Sequence, residues 1–301
     1  MPELDRKRFE EKDRVFRDFA IWPSYDQLRT EAWLTNFTAD EIDYAQRLVS
    51  NFIYYDERMT DALLGASIQR YMSLVVNRAS HVRGDAYRLL DNTAFVMCEG
   101  EEPNPVDSGN YFARKLRDRF KISETQILRP EVALRQMEHY SGIVFFDDFI
   151  GSGNQLLRTL ERSHKIDGKR KSFRSAAASH DVEFVYCSCL GTEQAVANIS
   201  QHAPEVCVLS THILGPRDGV LPPSARIWEP HEHSAALNFI QSASQRAGYV
   251  ASNGGQDDWR GFHQLGLALA FNHGIPDASL PLFFSSRNGW EPLVSRQDHA
   301  E

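Results

Sequence analysis

Ile143-Val144-Phe145-Phe146-Asp147-Asp148-Phe149-Ile150-Gly151-Ser152-Gly153-Asn154-Gln155-Leu156 is the stretch on which the fold turns. Its first four residues form an unbroken apolar run, the pattern of a strand buried on both faces. Two carboxylates stand at the C-terminal end of that strand. A loop in which Gly151 and Gly153 flank Ser152 then opens into a helix carrying Leu156, Leu157 and Leu160. Glycines let successive backbone amides approach a ligand and turn inward, and a helix start adds unpaired N–H groups and a positive dipole end. Ser152 supplies a hydroxyl. Asp147 and Asp148 can accept hydrogen bonds from vicinal hydroxyls or help hold Mg²⁺ on a substrate. The C-terminal ends of parallel strands are where open α/β sheets place ligands.

Outward from this stretch the pattern repeats. Thr93–Cys98, Phe184–Cys187 and Val206–Leu209 are further short apolar runs. Helical stretches over 153–163 and 191–200 separate the later ones. Strands alternating with helices predict an α/β domain with a parallel-sheet core. Glu99–Gly109, with Gly100, Pro103 and Pro105, reads as a loop, and Tyr111–Phe120 as a basic amphipathic helix. The segment 164–182 reads as a long polar connection bearing Lys165, Lys169, Arg170, Lys171 and Arg174. It is either a solvated loop or a contact to an anionic partner such as nucleic acid.

The first 90 residues read as helical. Thr38-Ala39-Asp40-Glu41 has the capping-box pattern. Ile42, Ala45, Leu48, Val49 and Phe52 follow at helical spacing, and a second helix is expected over about 58–77. The expected division is therefore a helical region over 1–90 and an α/β domain over 91–301.

A formal net charge of −8 over 301 residues argues against broad nonspecific binding to nucleic acid and leaves room for a local basic patch. No apolar run reaches the roughly 18 residues of a membrane span, and the charged N-terminus has no signal-peptide core. Cys98, Cys187, Cys189 and Cys207 each sit in or beside an apolar run, as reduced thiols of a cytoplasmic protein do. There is no C-x-x-C and no paired-His spacing for zinc. The chain lacks the G-x-x-x-x-G-K-[ST] loop that would make Asp147-Asp148 part of an ATPase, and Gly-Ser-Gly does not match G-x-G-x-x-G.

The run Asp147-Asp148-Phe149-Ile150-Gly151-Ser152-Gly153-Asn154-Gln155 resembles the phosphoribosyl pyrophosphate (PRPP) motif of type I phosphoribosyltransferases. The resemblance implies that Asp147 and Asp148 bind the ribose hydroxyls and that Gly151, Ser152, Gly153, Asn154 and Gln155 hold the 5′-phosphate. Gln155 stands where that family commonly has Thr or Ser. It further implies a pyrophosphate contact after the first core strand. Here that place falls to Ser108, Gly109 and Asn110 at a helix start, with Arg114 one turn in. The C-terminal stretch Phe271–Pro281 with Gly289-Trp290-Glu291-Pro292-Leu293, and the segment Trp33-Leu34-Thr35-Asn36-Phe37, are similar to a phosphoribosyltransferase-like family of bacterial conflict systems.

That likeness implies a sheet core of the type I phosphoribosyltransferase kind. An N-terminal helical extension and a C-terminal α+β hood-like segment would flank it. The implied activity is transfer or cleavage at ribose C1 of PRPP or a nucleotide, with Mg²⁺, Asp147 and Asp148 as catalytic and metal-binding groups, and His273 as a second acid/base. The implied setting is anti-phage defence beside a protein partner from the same operon. The alternative is a non-catalytic nucleotide or PRPP sensor. It draws on the lack of an evident mobile loop over 121–142, where Arg129 and Arg135 are the cations. A membrane partner is not expected, and nucleic acid is not favoured by net charge. The apolar residues near Phe283 and Trp290 read as a wall packing against the sheet.

Overall fold

A computed structural model describes residues 2–78, 88–99, 108–178 and 180–296. The chain forms two compact units, one made of 1–59 with 215–301 and the other of 60–214. This division does not fall at the expected residue 90.

The unit 60–214 is built on a sheet. Among the described residues its strands are β2 (Thr93–Met97), β3 (Ile127–Leu128), β4 (Gly142–Ile150), β7 (Glu183–Thr192) and β8 (Val206–Leu214), hydrogen-bonded in the order β3-β2-β4-β7-β8. Every pairing is parallel. Chain order reverses between β2 and β4, the arrangement that opens a crevice at the strands' C-terminal ends. The expected parallel α/β core is thus present.

One face of the sheet presents Ala94, Val96, Ile143, Phe145, Phe184 and Tyr186. Onto it pack Ala133 and Leu134 of α6 (Pro130–Arg135), Leu156 and Leu160 of α7 (Asn154–Glu161), Phe173 of α8 (Phe173–Ala177), and Ala195 and Ile199 of α9 (Glu193–His202). The other face is covered by α4 (Glu57–Arg78). Leu64, Ile68, Tyr71 and Val75 make its buried stripe at helical spacing. The Tyr71 hydroxyl lies 2.7 Å from Thr93 Oγ1, and Ser67 Oγ donates to the Leu209 carbonyl at 2.8 Å. The second N-terminal helix is therefore part of the sheet unit. Burial of each large residue in that stripe stabilises the unit by about 1.5–3 kcal/mol, which anchors α4 there.

Two segments differ from expectation. The polar connection 164–182 folds as a hairpin, β5 (His164–Ile166) and β6 (Lys169–Lys171), followed by α8. Its turn, Asp167-Gly168, has φ of 49° and 80°, as a two-residue turn with two left-handed positions requires. The helix expected from Tyr111 begins three residues earlier, as α5 (Ser108–Asp118). Gly100, Pro103, Pro105 and Asp107 of the expected loop lie outside the described residues.

The other unit contains α1 (Pro2–Asp18), α2 (Thr30–Leu34), α3 (Ile42–Ser50), β1 (Ile53–Tyr55), α10 (His233–Arg246) and β9 (Leu269–Phe271). β1 and β9 pair in parallel. Half of the expected capping box forms, with Glu41 Oε2 accepting from the Thr38 amide at 3.1 Å. The Trp33–Phe37 segment meets the Trp290 stretch. Trp33 Nε1 and Trp290 Nε1 both donate to the Leu282 carbonyl, at 2.7 and 2.9 Å, and Phe37 lies edge-on to Trp290. Asn36 and Glu291 exchange side-chain and backbone hydrogen bonds at 2.8 and 2.9 Å. Phe283 packs on Trp33 and Phe52. The C-terminal wall is real, and its partners are the N-terminal aromatics; it was expected against the sheet.

Candidate functional site

β4 runs past its apolar half to Ile150, because β7 keeps pairing with it from Gly142↔Glu183 to Ile150↔Gly191. Pairing with β2 stops at Met97↔Phe146. Among the described residues, 147–150 thus have a ladder partner on the β7 side alone. The acidic pair lies inside the strand and borders the opening beside β2, whereas the sequence suggested that it followed the strand.

Strand alternation sends the two carboxylates to opposite faces. Asp147 follows Ile143 and Phe145 on the face of α7 and α9. It is 3% exposed, and the Tyr186 hydroxyl stands 3.5 Å from its Oδ2. Its Oδ1 accepts from the Asp148 amide at 2.9 Å, and Asp148 Oδ1 accepts from the Phe149 amide at 2.8 Å. A buried carboxylate needs such partners. Burial pushes the Tyr186 and Cys98 hydrogens well into the bound form, with the charge of Asp147 adding to both. Asp148 is half-buried and takes the face of α4, where its charge reinforces the burial that raises the Cys189 thiol.

The turn after β4 is short and clamped. Gly153 sits at φ +80°, and a Cβ there would meet Ile199 Cγ1 at 2.9 Å and the Ala195 carbonyl at 3.1 Å. Glycine is required both by the backbone and by the approach of α9. Thr192 Oγ1 donates to the Gly151 carbonyl at 2.5 Å and accepts from the Ala195 amide, capping α9. Asn198 Nδ2 donates to the Ser152 carbonyl at 2.7 Å and to Asn154 Oδ1 at 3.0 Å. In a trans peptide the N–H points opposite to the carbonyl. With the Gly151 and Ser152 carbonyls drawn toward α9, the amides of Ser152 and Gly153 point away from it. Those two amides donate to no group among the described residues. They stand at the start of α7, where the helix dipole is positive. Asn154 and Gln155, expected in the loop, are the first two residues of α7.

The second anion segment is of another kind. Ser108, Gly109 and Asn110 form the first turn of α5. Gly109 is pressed against β2, for a Cβ there would lie 3.2 Å from Met97 Cβ. Arg114 is exposed. The buried cation of α5 is its neighbour Lys115, 6% exposed, bonded to Asp61 Oδ1 at 2.5 Å and lying over the Tyr111 ring. His273 belongs to the unit of 1–59 and 215–301. Its ring stacks on Phe271 at 5.2 Å and its Nδ1 lies 3.5 Å from Asn272 Oδ1. The sheet unit therefore assembles Asp147, Asp148, Gly151, Ser152, Gly153, Asn154 and Gln155, and does not include His273. Sequence reasoning missed Thr192, Asn198 and Lys115. Thr192 before Glu193 was legible as a helix cap; the other two act across 44 to 54 residues.

Among the described residues no group of three or more His, Cys, Asp or Glu could hold a metal ion. No helix among them is long and apolar enough to cross a membrane.

A comparison with curated proteins yields no match. Among solved structures, orotate phosphoribosyltransferase from Aeropyrum pernix is similar over 50% of this chain and 74% of that one, with 16% identity and a TM-score of 0.26. That likeness is too loose to bear on function. The match to a family is broader: residues 30–296 fit PRTase-CE, spanning the acidic strand, its glycine turn and both tryptophan segments. The chain, with its parallel α/β core, belongs to the phosphoribosyltransferase-like PRTase-CE family.

Proposed function

We propose that the sheet unit binds the ribose 5-phosphate portion of PRPP or of a nucleotide. The observation that carries this reading is the pair of undonated amides of Ser152 and Gly153, aimed away from α9 at the start of α7. Two successive N–H groups facing away from α9, at a helix N-terminus, suit a phosphate dianion. Asp147 and Asp148, on β4 five and four residues before Ser152, are the acceptors for the ribose hydroxyls, with Asp148 the more accessible of the two.

Among the described residues no third carboxylate, His or Cys joins Asp147 and Asp148, so Mg²⁺ would arrive on the substrate's phosphates. Bound there, it would neutralise charge on a departing diphosphate. In a transfer reaction the C1–O bond breaks with its electron pair leaving on the diphosphate. The acceptor's nucleophile forms the new C1 bond and gives up its proton. The chain's own part is to fix the 5′-phosphate at the turn and to hold the ribose against the strand, so that C1 faces the opening beside β2.

A second reading, ligand sensing without turnover, is favoured by residues 121–142. Where a mobile catalytic loop would be needed, the chain forms β3, α6 and short 3-10 turns. Arg129 caps α6 and Arg135 ends it. The conflict-system likeness adds an expected defence role with a protein partner in the cytoplasm of a bacterium. Calorimetric titration with PRPP, ribose 5-phosphate and nucleoside monophosphates, with and without Mg²⁺, tests the binding. A pyrophosphate-release assay separates the two readings: release supports transfer or hydrolysis, and binding without release supports sensing.

A further inference from the structure

The β5–β6 hairpin is unlike the rest of this acidic chain. Residues 164–171 carry Lys165, Lys169, Arg170 and Lys171 against Asp167, four positive charges and one negative, in a protein of net charge −8. The register sets Lys165 directly opposite Arg170. Ile166 between Lys165 and the turn is 1% exposed and packs into the core, so Lys165 and Arg170 share the outward face. Like charges directly opposed across a strand pair destabilise it. Here nothing offsets them: among the described residues, Lys165, Lys169, Arg170 and Lys171 make no ion pair. Neighbouring arginines behave differently. Arg162 pairs with Glu99 at 2.7 Å, and Arg174 lies 3.6 Å from both Glu161 and Glu205.

We propose that this hairpin is a docking element for the phosphate backbone of duplex nucleic acid. Three features choose that occupant. The cations are concentrated and unneutralised, which suits a dense anion rather than scattered carboxylates. The hairpin exposes no large apolar residue, so it offers no anchor for a bilayer. It carries no Phe, Tyr or Trp on which unpaired bases could stack, and His164 at its start is half-buried. A two-stranded ribbon is also of a size that the major groove of B-form DNA admits, and the tight Asp167-Gly168 turn lets its tip enter. The four cations supply a contact to the phosphate backbone, which every duplex sequence offers. This proposal is independent of the ribose-phosphate site.

The test uses the full chain and fluorescein-labelled 20-base-pair duplex DNA and RNA in anisotropy titrations across 50–300 mM salt. Single strands, anionic vesicles and a poly-glutamate peptide serve as comparison probes. Duplex binding should weaken with salt, with a log–log slope of about −3 for three or four phosphate contacts. Lys165→Gln with Arg170→Gln should weaken duplex binding about tenfold or more at low salt and reduce the slope by about 2. Both residues are exposed, so the fold should survive; unchanged circular dichroism and unchanged ribose-phosphate binding would confirm that. The proposal fails if duplexes do not bind, if the double variant keeps the parent's affinity and slope, or if vesicles or poly-glutamate bind at least as tightly as duplexes.

Discussion

Two glycine-bearing helix starts lie at the ends of neighbouring strands, and they are built differently. At the end of β4, Gly153 is left-handed and wedged against α9, while Thr192 and Asn198 hold two carbonyls on one side. The opposite edges of those peptides, two amides, are thereby aimed outward. At the end of β2, Gly109 has ordinary backbone angles, lies within the first turn of α5 and serves to let the helix rest on Met97. The first glycine shapes a turn that can receive an anion. The second permits packing. A glycine near a helix start is not by itself a phosphate loop; the position of the neighbouring carbonyls distinguishes the two.

The sharpest way to break this comparison is to substitute both glycines. Gly153→Ala meets a strained φ and contacts of 2.9 and 3.1 Å, so a loss of about 1–3 kcal/mol in stability is expected. Ribose-phosphate affinity should fall about a hundredfold. Gly109→Ala meets Met97 Cβ at 3.2 Å, which a shift of a few tenths of an ångström relieves, and the helix gains from alanine; a cost under about 1 kcal/mol is expected, and affinity should stay within about threefold. Urea denaturation and calorimetry of both variants measure these, and equal losses would dissolve the distinction.

A smaller effect is expected from Asn198→Ala, which frees the Ser152 carbonyl and the Asn154 side chain. Loss of these hydrogen bonds is worth about 1–2 kcal/mol. Ribose-phosphate affinity should drop about tenfold, with the thermal midpoint lowered by roughly 2–8 °C. Unchanged affinity would show that the clamp does not orient the amides.

The smallest effect concerns pH. Cys98, just past β2, has its thiol raised well above the usual range by burial first and Asp147 second, and burial pushes Cys187 up to about 12. The unfolded chain releases these protons near pH 8.5, before the folded chain does. Folding stability is therefore complete below about pH 8.5 and declines above it, by about 1 kcal/mol per buried thiol at pH 9.5. Cys98→Ala should flatten the decline in part, which urea midpoints at pH 7.5 and 9.5 would show. A slope identical to the parent's would mean that Cys98 is less enclosed than its packing indicates.

Much of this architecture was legible in the chain. Four apolar runs gave β2, β4, β7 and β8, and the turn of 151–153 announced itself by composition. What was hidden has physical reasons. β3 is two residues long and β1 three, too short for any periodicity, and they exist only through pairing. The continuation of β4 through Asp147 and Asp148 runs against the strand preference of Asp; β7 imposes it. The β5–β6 hairpin did carry a signal, Asp167-Gly168 between short strands, but the lysines around it lacked hydrophobic alternation. His273 belongs to the other unit because the chain leaves that unit at residue 59 and returns to it at 215. Thr192 was readable as a helix cap. Its second role on Gly151 needed the register of β7 beside β4.

The central claim is that Asp147, Asp148 and the turn after them form a ribose-phosphate site. Calorimetric titration of PRPP, with Mg²⁺ present, into the parent protein and into Asp147→Asn with Asp148→Asn tests it most directly. The expected result is saturable binding by the parent and at least a hundredfold weaker binding by the double variant, with its near-ultraviolet circular dichroism unchanged. A folded double variant that binds PRPP as tightly as the parent would contradict the site.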